Sequence, residues 1–287
     1  MITLDNILVV GLGEVGRPIF ELLKMQRIWK VFGYDRDQNK TIHDLDEIPN
    51  TIYSLHICIS CSDAKKFINI VCDLVSEFEP KLVIIHSTVP PLTTRMIYEE
   101  IHRECPHVAH SPVRGVHFQM LEDIKTYTKF VGGATPEGGK EAFNHLIKAG
   151  FKCELMRNST NTELAKLYET SYAATMIAMF QEMHRISKEF DVDFSDILDI
   201  FIDTHIHRLD RPIYHPSVIG GHCLMQNIVL LNQSTRSVLF KWIELSNELR
   251  KVEIKDPEIA KEVARCKKKF DAMREWSAKV LGKEGKI

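Results

Sequence analysis

Ile7-Leu8-Val9-Val10 runs straight into Gly11-Leu12-Gly13-Glu14-Val15-Gly16, and this stretch decides how the rest of the chain is read. An apolar run followed at once by a G-x-G-x-x-G pattern predicts a buried strand that turns sharply into a helix. Gly11 permits the tight turn, Gly13 lets backbone N–H groups approach a pyrophosphate, and Gly16 lets the following helix pack closely on the sheet. A helix beginning near Glu14 would aim its unpaired N–H groups and the positive end of its dipole at the phosphates. Val15, Ile19, Leu22 and Leu23 recur along it at helical spacing, as a helix lying on a sheet requires. Gly11, Leu12, Gly13, Glu14, Val15 and Gly16 are therefore candidate contacts to a dinucleotide.

A second apolar segment, Val31-Phe32-Gly33-Tyr34, ends in Asp35, where an acid would hold a ribose 2'-hydroxyl. That acid favours NAD over NADP, and Arg36 beside it leaves the phosphorylated cofactor open. Ser60, just after the run Leu55-His56-Ile57-Cys58-Ile59, joins the candidate cofactor contacts.

The 287 residues suffice for two domains with sizeable cores. A formal net charge of −2 supplies no field that would draw the chain to nucleic acid or to a membrane surface. No apolar run approaches membrane-spanning length and no basic leader opens the chain, so a soluble cytoplasmic protein is expected. Seven cysteines, an odd number scattered over strands and helices, are read as reduced thiols. Cys58 and Cys61 form a C-x-x-C at a strand end and not at a helix start, which points to buried strand cysteines.

Further along, a helical pattern covers Ala64 to Phe78, Leu82-Val83-Ile84-Ile85 forms a strand stopped by Pro90-Pro91, and apolar strands recur at Val108-Ala109-His110, Lys129-Phe130-Val131 and Lys152 to Met156, with a helix over Pro136 to Ala149. Strands alternating with helices predict a Rossmann-type α/β fold, a doubly wound, mostly parallel sheet, over residues 1–157. From Asn158 the character changes to an all-helical second domain, 158–287. Thr160-Asn161-Thr162-Glu163 carries a capping-box signature, and Leu164 to Phe190 reads as one long helix whose middle is apolar all round and must be buried between partners. Helices over Phe194 to Phe201 and Ser237 to Leu249 follow. The last helix, after Asp256-Pro257, shows a seam of Ile259, Val263, Cys266, Phe270 and Met273 suited to another helix. The long helix and this seam together predict a homodimer.

Lys166 lies on the first turns of the long helix with Thr170 one turn further on, and Cys223 follows Gly220 and Gly221 in a loop where backbone can pass close to a ligand. A thiolate at Cys223 is a nucleophile if a cation or a helix N-terminus lowers its pKa. His205, His207, His215 and His222 lie near it in sequence, but without a recognised ligand spacing, and no metal is expected.

Gly11-Leu12-Gly13-Glu14-Val15-Gly16-Arg17-Pro18, Ser87-Thr88-Val89-Pro90-Pro91, Glu163-Leu164-Ala165-Lys166-Leu167 and Val218-Ile219-Gly220-Gly221-His222-Cys223 follow one another as in the UDP-glucose/GDP-mannose dehydrogenases, and from about Ile7 to Leu231 the chain resembles that family. The resemblance implies an NAD-dependent oxidation of the primary alcohol of a nucleotide sugar. Carried over, Cys223 would trap the aldehyde as a thiohemiacetal on the way to a thioester, Lys166 would stabilise the oxyanion, Thr88 would touch cofactor and substrate, and Gly220, Gly221 and His222 would border the sugar. The chain departs from the family pattern at Val113, where a glutamate is usual, at Thr170 for asparagine, at Met225 for proline, and at Asn227 for aspartate. Asn227 cannot take a proton from water as a carboxylate can. The family's third domain, which grips the nucleotide part of the substrate, finds no counterpart in this sequence. The alternatives are a two-electron β-hydroxyacid-type dehydrogenase with Lys166 as acid/base, and a protein that uses the nucleotide site without this chemistry, for example with S-adenosylmethionine.

Overall fold

The structure, a computed structural model, describes residues 4–115, 120–208, 213–220 and 222–280. It divides into two compact units, Met1–Lys166 and Leu167–Ile287.

The first unit is a seven-stranded sheet. Its strands are β1 (Asp5–Val10), β2 (Trp29–Tyr34), β3 (Ser54–Ile57), β4 (Leu82–Ile85), β5 (His107–His110), β6 (Lys129–Gly133) and β7 (Cys153–Leu155), in the order β2-β1-β3-β4-β5-β6-β7. Pairing is parallel except between β5 and β6. The apolar runs read as strands because both sheet faces are covered. Leu8 and Val10 join Leu55, Ile57, Val83 and Ile85 on one face, while Ile7 and Val9 join Leu82, Ile84 and Ala109 on the other. Each fully buried side chain of this kind contributes roughly 1.5–3 kcal/mol. The first face is covered by α2 (Ala64–Phe78) and α3 (Thr93–Ile101), the second by α1 (Gly16–Met25), α4 (Met120–Thr126) and α5 (Pro136–Lys148).

Local chemistry sets the helix starts. Asp63 accepts from the Lys66 N–H at 2.9 Å to cap α2, and Thr135 accepts from the Gly138 N–H at 3.0 Å to cap α5. The first helix begins at Gly16 and not at Glu14, because Gly13 to Val15 form a turn. Pro18 therefore sits in the first helical turn, where a missing N–H removes no intrahelical bond.

The long helix α6 spans Ser159–Glu189 and begins earlier than its apolar pattern suggests. Asn158 Oδ1 accepts from the Asn161 N–H at 3.1 Å, so the start is set there, and the expected capping box at Thr160 is not what Glu163 serves. The unit boundary falls within α6 instead of ahead of it. Its first turns are bonded to the first unit, with Thr162 against His110 of β5 and Glu163 against Thr94 of α3.

The second unit holds the rest of α6 with α7 (Phe194–Arg208), α8 (His222–Ser234), α9 (Val238–Glu253) and α10 (Pro257–Val280). The seam on α10 is filled within the unit: Cys266, Phe270 and Met273 pack with Phe180 of α6 and with Phe194 and Leu198 of α7. The seam thus meets other helices, as its pattern suggested, and they belong to the same unit. The middle of α6 is not buried all round either, since Ala174 and Ala178 are enclosed while Tyr172 is 54% and Met179 47% exposed. On α9, Val238, Leu245, Leu249 and Val252 are exposed at spacings that share one helix face.

Candidate dinucleotide site and reactive residues

The strand order reverses direction between β1 and β3, and ligands of open α/β sheets bind outside the carboxyl ends of strands at such a switch point. The turn at that point is built around its glycines. Gly11 has φ +90°, and a Cβ there would lie 2.8 Å from the Cys58 carbonyl carbon. A Cβ on Gly16 would fall 1.7 Å from the Gly11 carbonyl oxygen, so α1 can approach the turn only as glycine. Around Gly13 nothing lies within 4 Å of where a Cβ would be, which leaves open space beside the turn where a ligand would approach.

Asp35 closes this cradle from the end of β2. Its Oδ2 accepts from the Leu12 N–H at 2.7 Å and its Oδ1 from the Asp37 N–H at 2.9 Å, while the Asp35 N–H donates to the Thr41 hydroxyl oxygen at 3.1 Å. Each carboxylate oxygen retains a lone pair for a ribose hydroxyl. Arg36 and Ser60 are exposed at the same sheet edge, and Thr88 is half-buried in the loop after β4. These residues fit a dinucleotide: an anion-accepting turn, an acid at the ribose position, and space at Gly13.

The Thr88 loop is pinned by residues that sequence patterning did not single out for this role. Ser87 Oγ donates to the Ile59 carbonyl at 2.5 Å, and His110 Nε2 donates to the Ser87 carbonyl at 3.0 Å. Burial pushes His110 down to about 3, so this imidazole is neutral at ordinary pH. Buried Glu163 accepts from the N–H groups of Leu92 (2.7 Å) and Thr94 (2.8 Å) and from the Thr94 hydroxyl (2.6 Å), capping α3 from a distant helix. Burial raises the pKa of its carboxyl and these three donors oppose the rise. Lys166 follows three residues later on α6, and its charge acts on His110 and Lys129.

In the second unit, Cys223 is not on a loop but in the first turn of α8, with Asn227 one turn further along the same face. Asn227, 3% exposed, donates its amide to Thr170 Oγ1 at 2.7 Å, and Thr170 donates to the Leu167 carbonyl at 3.0 Å. The approach to α8 is held by two buried amides. Asn247 accepts from the Ile219 N–H at 2.7 Å and donates to its carbonyl at 3.2 Å, and Gln181 donates to the Ser217 carbonyl at 2.7 Å. Gly220 has nothing within 4 Å of a Cβ position. Gly221 lies outside the described residues, and of His222 only the backbone is described, as the first residue of α8.

The other histidines near Cys223 have separate partners. Ser277 lies 3.4 Å from His205, the Asp203 carbonyl 2.8 Å from His207, and Ser217 2.7 Å from His215. No group of three or more His, Cys, Asp or Glu among the described residues could hold a metal ion. None of the seven cysteines is in a disulfide. Burial pushes Cys58 up to about 12 and Cys61 up to about 11, which suits inert thiols of the sheet. Among the described residues no helix is long and apolar enough to cross a membrane.

A parallel sheet with this switch point, turn and acid belongs to the Rossmann-type dinucleotide-binding folds, here followed by a helical unit. Within that class the chain is similar to the nucleotide-sugar dehydrogenases over part of its length: residues 160–253 match the UDP-glucose/GDP-mannose dehydrogenase family, central domain. It is 26% identical over 264 residues to the UDP-N-acetyl-D-mannosamine dehydrogenase of Methanococcus aeolicus, covering 77% of this chain and 59% of that protein. With the enzyme of the same name from Methanococcus maripaludis it shares 25% identity over 285 residues, covering 86% of this chain and 65% of the relative. The chain thus spans about three fifths of the length of these relatives. The solved structure of UDP-D-ManNAc dehydrogenase from Pyrococcus horikoshii superposes with a TM-score of 0.73 at 20% identity, over 85% of this chain and 68% of that one, which shows a shared fold.

Proposed function

We propose that the chain binds NAD on the Gly11–Gly16 turn and oxidises a primary alcohol, that of a nucleotide sugar or a smaller analogue. The observation that carries this reading is the cradle at the switch point, where Asp35 holds the Leu12 N–H and Gly13 faces open space. NAD supplies the hydride acceptor when bound. Asp35 binds the ribose, Thr88 contacts cofactor and substrate, Lys166 holds developing negative charge on the substrate oxygen, and Cys223 attacks the aldehyde. Gly220, with Gly221 and His222, admits the substrate. A cytosolic homodimer fits the reduced thiols and the exposed apolar stripes of α6 and α9. Light scattering that finds only monomer at micromolar concentration removes the dimer.

The Asn227–Thr170 pair favours a second reading, oxidation by two electrons only, because the group one turn from Cys223 is an amide and cannot deprotonate water. Stopped-flow absorbance of NADH with a panel of sugar nucleotides and hydroxy acids separates the two. Cys223→Ser stops turnover before the acid in the first reading and leaves it intact in the second. No NADH from any substrate, with NAD bound, contradicts both.

A further inference from the structure

We infer that Lys129 and the imidazole chain His145–His56–His86 form a proton-sensing unit that clamps the Ser111–Pro112 backbone while Lys129 is neutral and loosens it when Lys129 takes up a proton. This inference does not depend on the dehydrogenase reading.

Because β6 runs antiparallel to β5, its first residue, Lys129, lies at the sheet edge where the strand preceding Ser111 ends. The Lys129 amine is buried and donates to the carbonyls of Ser111 at 2.7 Å and Pro112 at 3.3 Å. A neutral amine has two N–H groups, which these two carbonyls satisfy. An ammonium has a third, together with a charge that burial penalises. The Phe151 ring, 5.8 Å from Nζ, is a weak substitute for an acceptor.

The second lone pair of the Ser111 carbonyl is taken by His86, whose Nδ1 lies 2.9 Å away and must donate, since a carbonyl only accepts. That fixes the tautomers of the row. A neutral His86 then accepts at Nε2 from His56 Nδ1 at 3.0 Å, and His56 accepts at Nε2 from His145 Nε2, also at 3.0 Å. Ser54 Oγ lies 3.3 Å from the facing nitrogens of His56 and His145. A proton added to His56 or His86 would set donor against donor, so the row holds only while those rings are neutral.

The surroundings separate the two titrations. Burial pushes Lys129 down to about 7, helped by the charges of Lys166 on α6 and of Arg114. Burial also holds His56 and His86 well below the usual imidazole range and His145 at about 4. Facing Lys129 from just after β3 and from β7 are Cys58 and Cys153, pushed by burial up to about 12 and about 11, so they bring no charge at neutral pH. His110, down at about 3, is neutral as well. Of these groups, the amine is the one that changes state around pH 7. The proton it gains disturbs the carbonyl clamp on a segment where Pro112 has no N–H to anchor itself.

Amide hydrogen exchange tests this, read at about pH 6 and about pH 8.5 and referred at each pH to the intrinsic rate. Peptides covering 108–115 are expected to lose protection about tenfold at the lower pH relative to peptides of α2, and Lys129→Met to remove that difference. An equal pH response in Lys129→Met, or none in the wild type, overturns the inference. Should Lys129→Met not fold, carbon-13 titration of the lysine Cε signals in the wild-type chain decides: one lysine titrating near neutrality is expected, and all titrating above about pH 9 overturns it.

Discussion

Asn227 gives its side-chain amide to the hydroxyl of Thr170, and that hydroxyl spends its own proton on the Leu167 carbonyl. The two departures from the family pattern are therefore one interaction. A carboxylate at 227 would meet an oxygen whose proton is already committed to Leu167, whereas an amide can donate to that oxygen. In a double-mutant cycle, Asn227→Ala and Thr170→Ala should each cost about 1–2 kcal/mol, with a coupling of about 1 kcal/mol in urea denaturation. Strict additivity would show that the bond contributes nothing to the fold.

Acid should weaken the first unit through its neutral imidazoles. In the folded chain His110 and His145 bind protons only near about 3 and about 4, while in the unfolded chain they bind near the ordinary value of 6.5. Between those values the unfolded state holds more protons, so stability falls as pH falls through that window. Lys129, lowered from 10.5 to about 7, gives the same sign in a higher window, losing stability as pH falls from 10.5 to about 7. Urea midpoints measured across pH should decline in both ranges, and His145→Gln should flatten the acidic one. A midpoint constant from pH 7 down to pH 4 would contradict the burial of these rings.

Removing Glu163 should cost more than losing an ordinary cap. Its carboxylate satisfies two backbone N–H groups and one hydroxyl at the start of α3, all three left without that acceptor in Glu163→Ala. The expected loss is about 3 kcal/mol by chemical denaturation, with Glu163→Gln restoring part of it through the remaining oxygen. Equal stability of wild type and Glu163→Ala would show that water replaces the carboxylate at no cost.

Much of this site was legible because its signals are local. Gly11, Gly13, Gly16 and Asp35 announce a turn and an acid by spacing along the chain, and Ala64–Phe78 shows its helix by period alone. What stayed hidden depends on distant partners. Glu163 looked like part of a capping box until its acceptors met α3, and the polar clamps of Asn247 and Gln181 join residues on different helices. The buried histidines did leave a trace: His56, His86 and His110 interrupt otherwise apolar strand ends, where a buried polar side chain must find a partner. Sequence alone could not name those partners. The α10 seam was legible as a helix-packing face, but an apolar stripe does not say whether its cover lies in the same chain.

The glycines of the turn should separate fold from binding. Gly16→Ala places a Cβ 1.7 Å from the Gly11 carbonyl oxygen and should destabilise the chain by about 3 kcal/mol. Gly13→Val meets open space and should leave the thermal midpoint within a few degrees of wild type. Matching losses of stability in the two variants would contradict the close approach of α1 to the turn.

That difference makes calorimetric titration of NAD into wild type and Gly13→Val the most direct measurement. Saturable binding of NAD to the wild-type chain is predicted, weakened about a hundredfold or lost in a Gly13→Val chain that is still folded. No heat with NAD, S-adenosylmethionine bound in its place, or equal NAD affinity in Gly13→Val would contradict a dinucleotide cradled by this turn.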